Sequence, residues 1–167
     1  RLGKFRGVRN YLVLTGDGSE ETEEKLGYYG ERIVLKAQAL GLNSCWVAAT
    51  YSKGACRKAC GLEKDEKLAC AIALGYGETQ GVPHESKPLT ELFELCSAAG
   101  KAPEWFVKGV EAAALAPTAL NRQNFNIVLL EDGRVRLEKQ GACAALDLGI
   151  VRYHFEQGAG KENFEWA

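Results

Sequence analysis

Two periods of apolar and polar residues alternate along this chain. Residues 8–15 (VRNYLVLT) carry β-branched and aromatic side chains and close on Gly16-Asp17-Gly18, which predicts a strand and a turn. Ser19 followed by Glu20-Glu21-Thr22-Glu23-Glu24 has the form of a helix start. The hydroxyl caps free N–H groups, and the carboxylates suit the positive end of the dipole. The predicted helix has Ile33, Leu35, Ala37 and Leu40 among its apolar positions, and Gly41 stops it. Residues 43–49 (NSCWVAA) predict a short strand, and Ser52 caps a short helix ending at Gly61. Residues 66–75 (EKLACAIALG) form a continuous apolar run of the kind buried on both faces.

Glycine and proline break the pattern over 75–88. Residues 89–96 predict helix. Pro103 takes the first position of a helix over 104–116, with Trp105, Phe106, Val110 and 113–115 as its apolar face. Residues 124–130, the turn Glu131-Asp132-Gly133 and residues 134–138 predict a hairpin. A last helix over 146–158 is followed by a polar tail to Trp166. One weak repeat runs through these elements. Gly30, Gln38 and Gly41 match Gly149, Gln157 and Gly160 at an offset of 119, and Trp46 and Trp166 follow.

At 167 residues the chain is one domain's worth. Its 46% hydrophobic and 26% charged residues are ordinary for a globular protein. Twenty-one Lys+Arg against 22 Asp+Glu leave a net charge of −1, which gives no reason to propose nucleic-acid or anionic-membrane binding. No apolar run approaches the roughly 20 residues of a membrane span. The chain opens at Arg1 and has no Met, as it would if an N-terminal stretch or the methionines were missing.

Six cysteines stand at 45, 56, 60, 70, 96 and 143. Cys45 and Cys70 lie in apolar runs, where a thiol behaves as a small buried hydrophobe. Cys56 and Cys60 share a helix face, but no second close pair completes a zinc site. The pattern favours free thiols in a reducing cytoplasm. Asp147 and His154 have no nucleophile beside them, and His154 reads as a helix-face or core histidine.

Three segments could meet a ligand, each with an ordinary structural alternative. His84, Ser86 and Lys87 are potential donors to a phosphate monoester, or parts of a solvated loop. Gly75-Tyr76-Gly77-Glu78-Thr79-Gln80-Gly81 misses the dinucleotide fingerprint, and Val82-Pro83 denies it a following helix. Thr118, Asn121 and Gln123 sit between a predicted helix and strand. Their amides suit the polar edge of a planar heterocycle, or serve turn chemistry alone. Residues 44–50 end a strand in small side chains that let backbone N–H groups approach a ligand, or pack around Trp46.

Together these segments resemble the nitroreductase family of flavoproteins. The resemblance is carried by LGYYGERIVLKAQALGLNSCWV (26–47) and by EAAALAPTALNRQNFNIVLL (111–130). In the second segment, Thr118 stands for the family's Ser, and Asn124-Phe125 for its Pro-Trp. VPHESKP (82–88) and DLGIVRYHFEQGAGKENFEW (147–166) look like a subfamily with two fused half-units. The resemblance implies one α+β domain over 1–167, with a mixed, mostly antiparallel sheet, packed helices and a pseudo-dimeric repeat. Residues 1–88 would end the first half-repeat, and 103–167 would form the second.

It also implies FMN as cofactor, NAD(P)H as reductant, and nitroaromatic, quinone or related small molecules as acceptors. No side-chain acid or base and no metal is implied. Trp46, Val47, Ala48 and Ala49 would lie along the isoalloxazine. His84, Ser86 and Lys87 would approach the phosphate. Pro117, Thr118, Ala119, Asn121 and Gln123 would meet the ring edge and ribityl chain. Arg1, Arg6 and Arg9 lack the spacing of the family's opening Arg-rich segment, so tens of preceding residues are expected. A monomer that mimics a dimer and a homodimer are both compatible. The rival readings are a non-catalytic flavin-binding protein and a structural domain without cofactor.

Overall fold

The computed structural model describes residues 7–96 and 101–167, so Arg1 and Arg6 lie outside the described residues. Strand β1 (Asn10–Gly16), β2 (Asn43–Val47) and β3 (Lys67–Gly75) form one antiparallel sheet in the order β1-β3-β2. The apolar run β3 is central, and its middle residues Cys70, Ala71, Ile72 and Ala73 are buried. Strand β4 (Phe93–Leu95), β5 (Phe125–Leu129) and β6 (Val135–Lys139) form the second sheet. There β4 runs parallel to β5, and β6 antiparallel. The protein is therefore α+β, with antiparallel pairs dominating.

Residues 89–96 correct the helix expected there. Leu89–Glu91 makes one 3-10 turn, and β4 follows. Phe93 and Leu95 alternate with the exposed Glu94, a strand period that a window of eight residues hides. The deciding partner is distant in sequence: Ile127 N–H donates to Leu92 O, and Cys96 N–H to Leu129 O, both at 2.9 Å.

Helix α1 (Glu20–Ala39) starts at Ser19, whose hydroxyl accepts from Thr22 N–H at 3.2 Å. Its buried face differs from the one the large side chains suggested. Ile33 and Leu40 are 42% and 64% exposed, whereas Gly27, Gly30, Glu31, Val34 and Ala37 are buried. Small residues face inward because α4 (Ala145–Ala159) comes very close. A Cβ on Gly149 would stand 1.9 Å from Glu24 O, and one on Gly27 would stand 2.0 Å from Leu146 O.

Helix α2 (Lys53–Cys60) is capped by Ser52 and closed by Gly61 at φ 63°, as expected. Helix α3 (Glu104–Ala113) ends three residues early, and Pro103 is its N-cap residue rather than its first helical one. Leu115, expected on the apolar face, is exposed.

A hydrophobic core cluster joins Phe106 of α3, Phe125 and Ile127 of β5, and Val151 and Phe155 of α4, all fully buried. Burying each such Phe stabilises by on the order of 2 kcal/mol. The tail read as polar is part of this core. Phe164 stacks on Trp105 at 5.6 Å, and Trp166 lies 5.4 Å from Phe155. Val135 N–H donates to Glu165 O, and Ala167 N–H to Val135 O.

Candidate functional site

Two sequence-distant loops meet beside α3 and α4. One spans 82–88, the other 117–123. Lys87 N–H donates to Gln123 Oε1 at 2.9 Å, and Lys87 Nζ to Gln123 O at 3.2 Å. Glu85 O accepts from Asn121 Nδ2 at 2.9 Å and from Gln123 Nε2 at 2.8 Å. Gln123 Nε2 also lies 3.0 Å from Asn121 Oδ1. Gln123 is 2% exposed, so it is a buried strut between the loops, while Asn121 is exposed. His84 Nε2 and Ser86 Oγ lie 2.9 and 3.1 Å from Ala114 O. They fasten the loop to the C-terminal end of α3.

The 117–123 turn is strained. Leu120, Asn121 and Gln123 have φ of 55°, 52° and 49°, values that side-chain-bearing residues rarely adopt. Two side chains hold it from within. Thr118 Oγ1 accepts from Gln123 N–H at 3.0 Å. Both Asp147 oxygens face Ala119 N–H, at 3.2 and 3.1 Å. Asp147 is buried in the first turn of α4, and burial raises its pKa above the usual carboxylate value, opposed by the Ala119 hydrogen bond. Pro117 and Thr118 are half-buried, whereas Ala119, Leu120, Asn121 and Arg122 are exposed.

Residues 46–49 are placed differently. Trp46 turns onto α1: its indole N–H donates to Glu31 Oε2 at 3.0 Å, and Gly30 leaves room for the ring. Val47 is buried, and Ala48 and Ala49 are exposed after the strand ends. Among the described residues, no hydrogen bond joins 46–49 to either loop. An open trough of about 410 Å³ at the end of the first sheet is lined in part by Arg9, Asn43, Cys45 and Tyr76, and by none of the candidate residues.

The family model described as "Putative TM nitroreductase" matches residues 1–159. The chain belongs to this nitroreductase family. A Thermotoga maritima structure of the same description aligns with TM-score 0.71 and 27% identity, over 93% of this chain and 63% of that one. The chain thus spans less than two thirds of that relative. An FMN-dependent nitroreductase from Clostridium difficile R20291 aligns with TM-score 0.37 and 21% identity, over 42% of this chain and 47% of that one. No curated protein matches.

In this nitroreductase-family chain, sequence reasoning passed over two kinds of residue. The first is the pair of buried glutamates between α1 and α4. Glu31, 1% exposed, also meets His154 Nε2 at 2.8 Å. Glu156 accepts from Trp166 Nε1 at 2.9 Å and from Tyr28 OH, with Lys161 Nζ 3.1 Å away. Glu31 shares the helix stripe of Gly27, Gly30, Val34 and Ala37, and only the approach of α4 makes that stripe the buried one. The second is Asp147, noticed only as a poor triad member.

The six cysteines are free thiols. Cys70 is buried as expected, and burial pushes its pKa up to about 12. Cys45 is exposed, which corrects its reading as a buried hydrophobe. It sits on edge strand β2, on the sheet face opposite Trp46.

Proposed function

We propose that this chain binds FMN and acts as an NAD(P)H-dependent oxidoreductase on nitroaromatic, quinone or similar small acceptors. Family membership supports the oxidoreductase class. The observation that carries the site is the set of four hydrogen bonds joining loop 82–88 to turn 117–123. These are two of the three segments that the family resemblance assigns to the flavin. The donor chemistry fits in kind: an amide and a cation, Asn121 and Arg122, are exposed on a strained turn, and the Lys87 ammonium lies beside it.

The residues proposed to hold FMN are Trp46, Val47, Ala48, Ala49, His84, Ser86, Lys87, Pro117, Thr118, Ala119, Asn121 and Gln123. Lys87 would approach the phosphate. His84 and Ser86 would do so only by releasing Ala114 O, so their first role is to hold the loop. Ala119 and Asn121 would meet the ring edge and ribityl chain, with Gln123 as their buried support. Ala48 and Ala49 would offer backbone N–H groups. When bound, FMN supplies hydride acceptance from NAD(P)H and delivery to the acceptor through N5. The chain's own part is to orient that group and keep positive charge near it.

The half-units 1–88 and 103–167 would place the flavin between them, in a monomer that mimics a dimer or in a homodimer. The free thiols suit a reducing cytoplasm.

The test is the visible spectrum of the purified protein with FMN, followed by NADH without oxygen. A flavin band that bleaches supports the reading. A band that does not bleach makes this a non-catalytic flavin-binding protein. No band after reconstitution removes the flavin. Asn121→Leu deletes a ring-edge amide and a tie to Glu85 O, and should raise the FMN Kd about tenfold. Unchanged affinity in a fluorescence-quenching titration would take Asn121 out of the site.

A further inference from the structure

Asp147 is a buried carboxylate whose described hydrogen-bond partner is one backbone group, the N–H of Ala119. That N–H immediately precedes Leu120, the first of the three left-handed residues of the turn. Backbone torsions of this kind are costly for residues with a side chain and persist only where the surroundings impose them. Thr118 fixes the far end of the same turn through Gln123 N–H. Asp147 thus holds the near end of the turn and Thr118 the far end.

We propose that Asp147 is a positioning residue: its carboxylate sets the left-handed conformation of turn 119–123, the turn that would meet the flavin. The ligand's identity rests on the flavin reading above; the hold on the turn does not. A further consequence separates this role from ordinary structural support. Burial disfavours the Asp147 charge more than the Ala119 bond favours it. A neutral isostere should therefore leave global stability at neutral pH unchanged or raised, while loosening the turn.

Asp147→Asn tests this in three measurements on the whole chain. Arg122 is exposed within the turn and offers trypsin a site that reports its opening. We expect cleavage after Arg122, followed by mass spectrometry without FMN, to quicken about fivefold, and FMN Kd to rise by about the same factor. The Tm at pH 7 should not fall. Unchanged cleavage and unchanged affinity would overturn the proposal. A fall in Tm that accounts for both changes would also overturn it, making Asp147 a structural residue only. If the parent chain binds no FMN, the flavin reading fails, while the cleavage and Tm results still decide the hold on the turn. Should Asp147→Asn fail to fold, Asp147 is a structural residue and the proposal is overturned in the same way.

Discussion

Asp17 shows how much one side chain near the start of α1 depends on local donors. Ser19 N–H donates to Asp17 Oδ1 at 2.8 Å and the Ser19 hydroxyl does so at 2.7 Å, with Thr22 adding a smaller contribution. Together they lower the Asp17 pKa from 3.8 to about 2. A depressed carboxylate stabilises the fold fully above its unfolded value. That contribution is lost as pH falls from 3.8 towards about 2. An NMR titration of the Asp17 carboxyl should therefore have its midpoint near 2. Ser19→Ala removes the hydroxyl donor but keeps the backbone one, so the midpoint should move part of the way back to 3.8. The same change removes the cap on Thr22 N–H and should cost about 1 kcal/mol in urea unfolding. These effects are legible in the sequence, because partners two and three residues apart are fixed by the helix start itself.

Among the elements, the contact of α1 with α4 is the tightest fit. Gly149 lies against the backbone of α1 at Glu24 and Tyr28, with no room for a methyl group. Gly149→Ala should push the helices apart and destabilise by about 3 kcal/mol, seen as a lower urea midpoint with little change in the denaturant slope. Gly54, exposed near the start of α2 with open space around its α-carbon, is the control; alanine there should be neutral or stabilising. The sequence marked Gly30 and Gly149 as a repeat pair. It did not say that one makes room for an indole and the other for a helix backbone. Strand β4 makes the same point from the other side, since its period was present but its partner β5 lay thirty residues further on.

Across the whole molecule, Glu31 ties three elements together: α1, Trp46 of β2 and His154 of α4. Glu156 does the same for α4, Trp166 and Tyr28 of α1. The two tryptophans matched in the repeat are thus each held by a glutamate buried in the α1–α4 contact. Glu31→Ala would leave an indole N–H and an imidazole nitrogen without their buried partner. We expect a loss of about 3–5 kcal/mol, measured by urea unfolding, with the fluorescence of Trp46 reporting its release. Because the first sheet reaches the rest of the molecule partly through this group, its unfolding should precede that of the Phe106–Phe155 core in hydrogen exchange of the variant.

The sequence by itself determined the helix starts at Ser19 and Ser52, the stops at Gly41 and Gly61, the burial of β3, the hairpin of β5 and β6, and the family. Each depends on neighbours along the chain or on the spacing of residues within one segment. Tertiary structure alone decided which face of α1 is buried, that residues 93–95 are a strand, that Phe164 and Trp166 close the core, and that Asp147 grips Ala119. Those outcomes depend on what lies opposite in space. A glycine's value at a helix crossing, or a carboxylate's hold on a strained turn, exists only once the other chain segment has arrived.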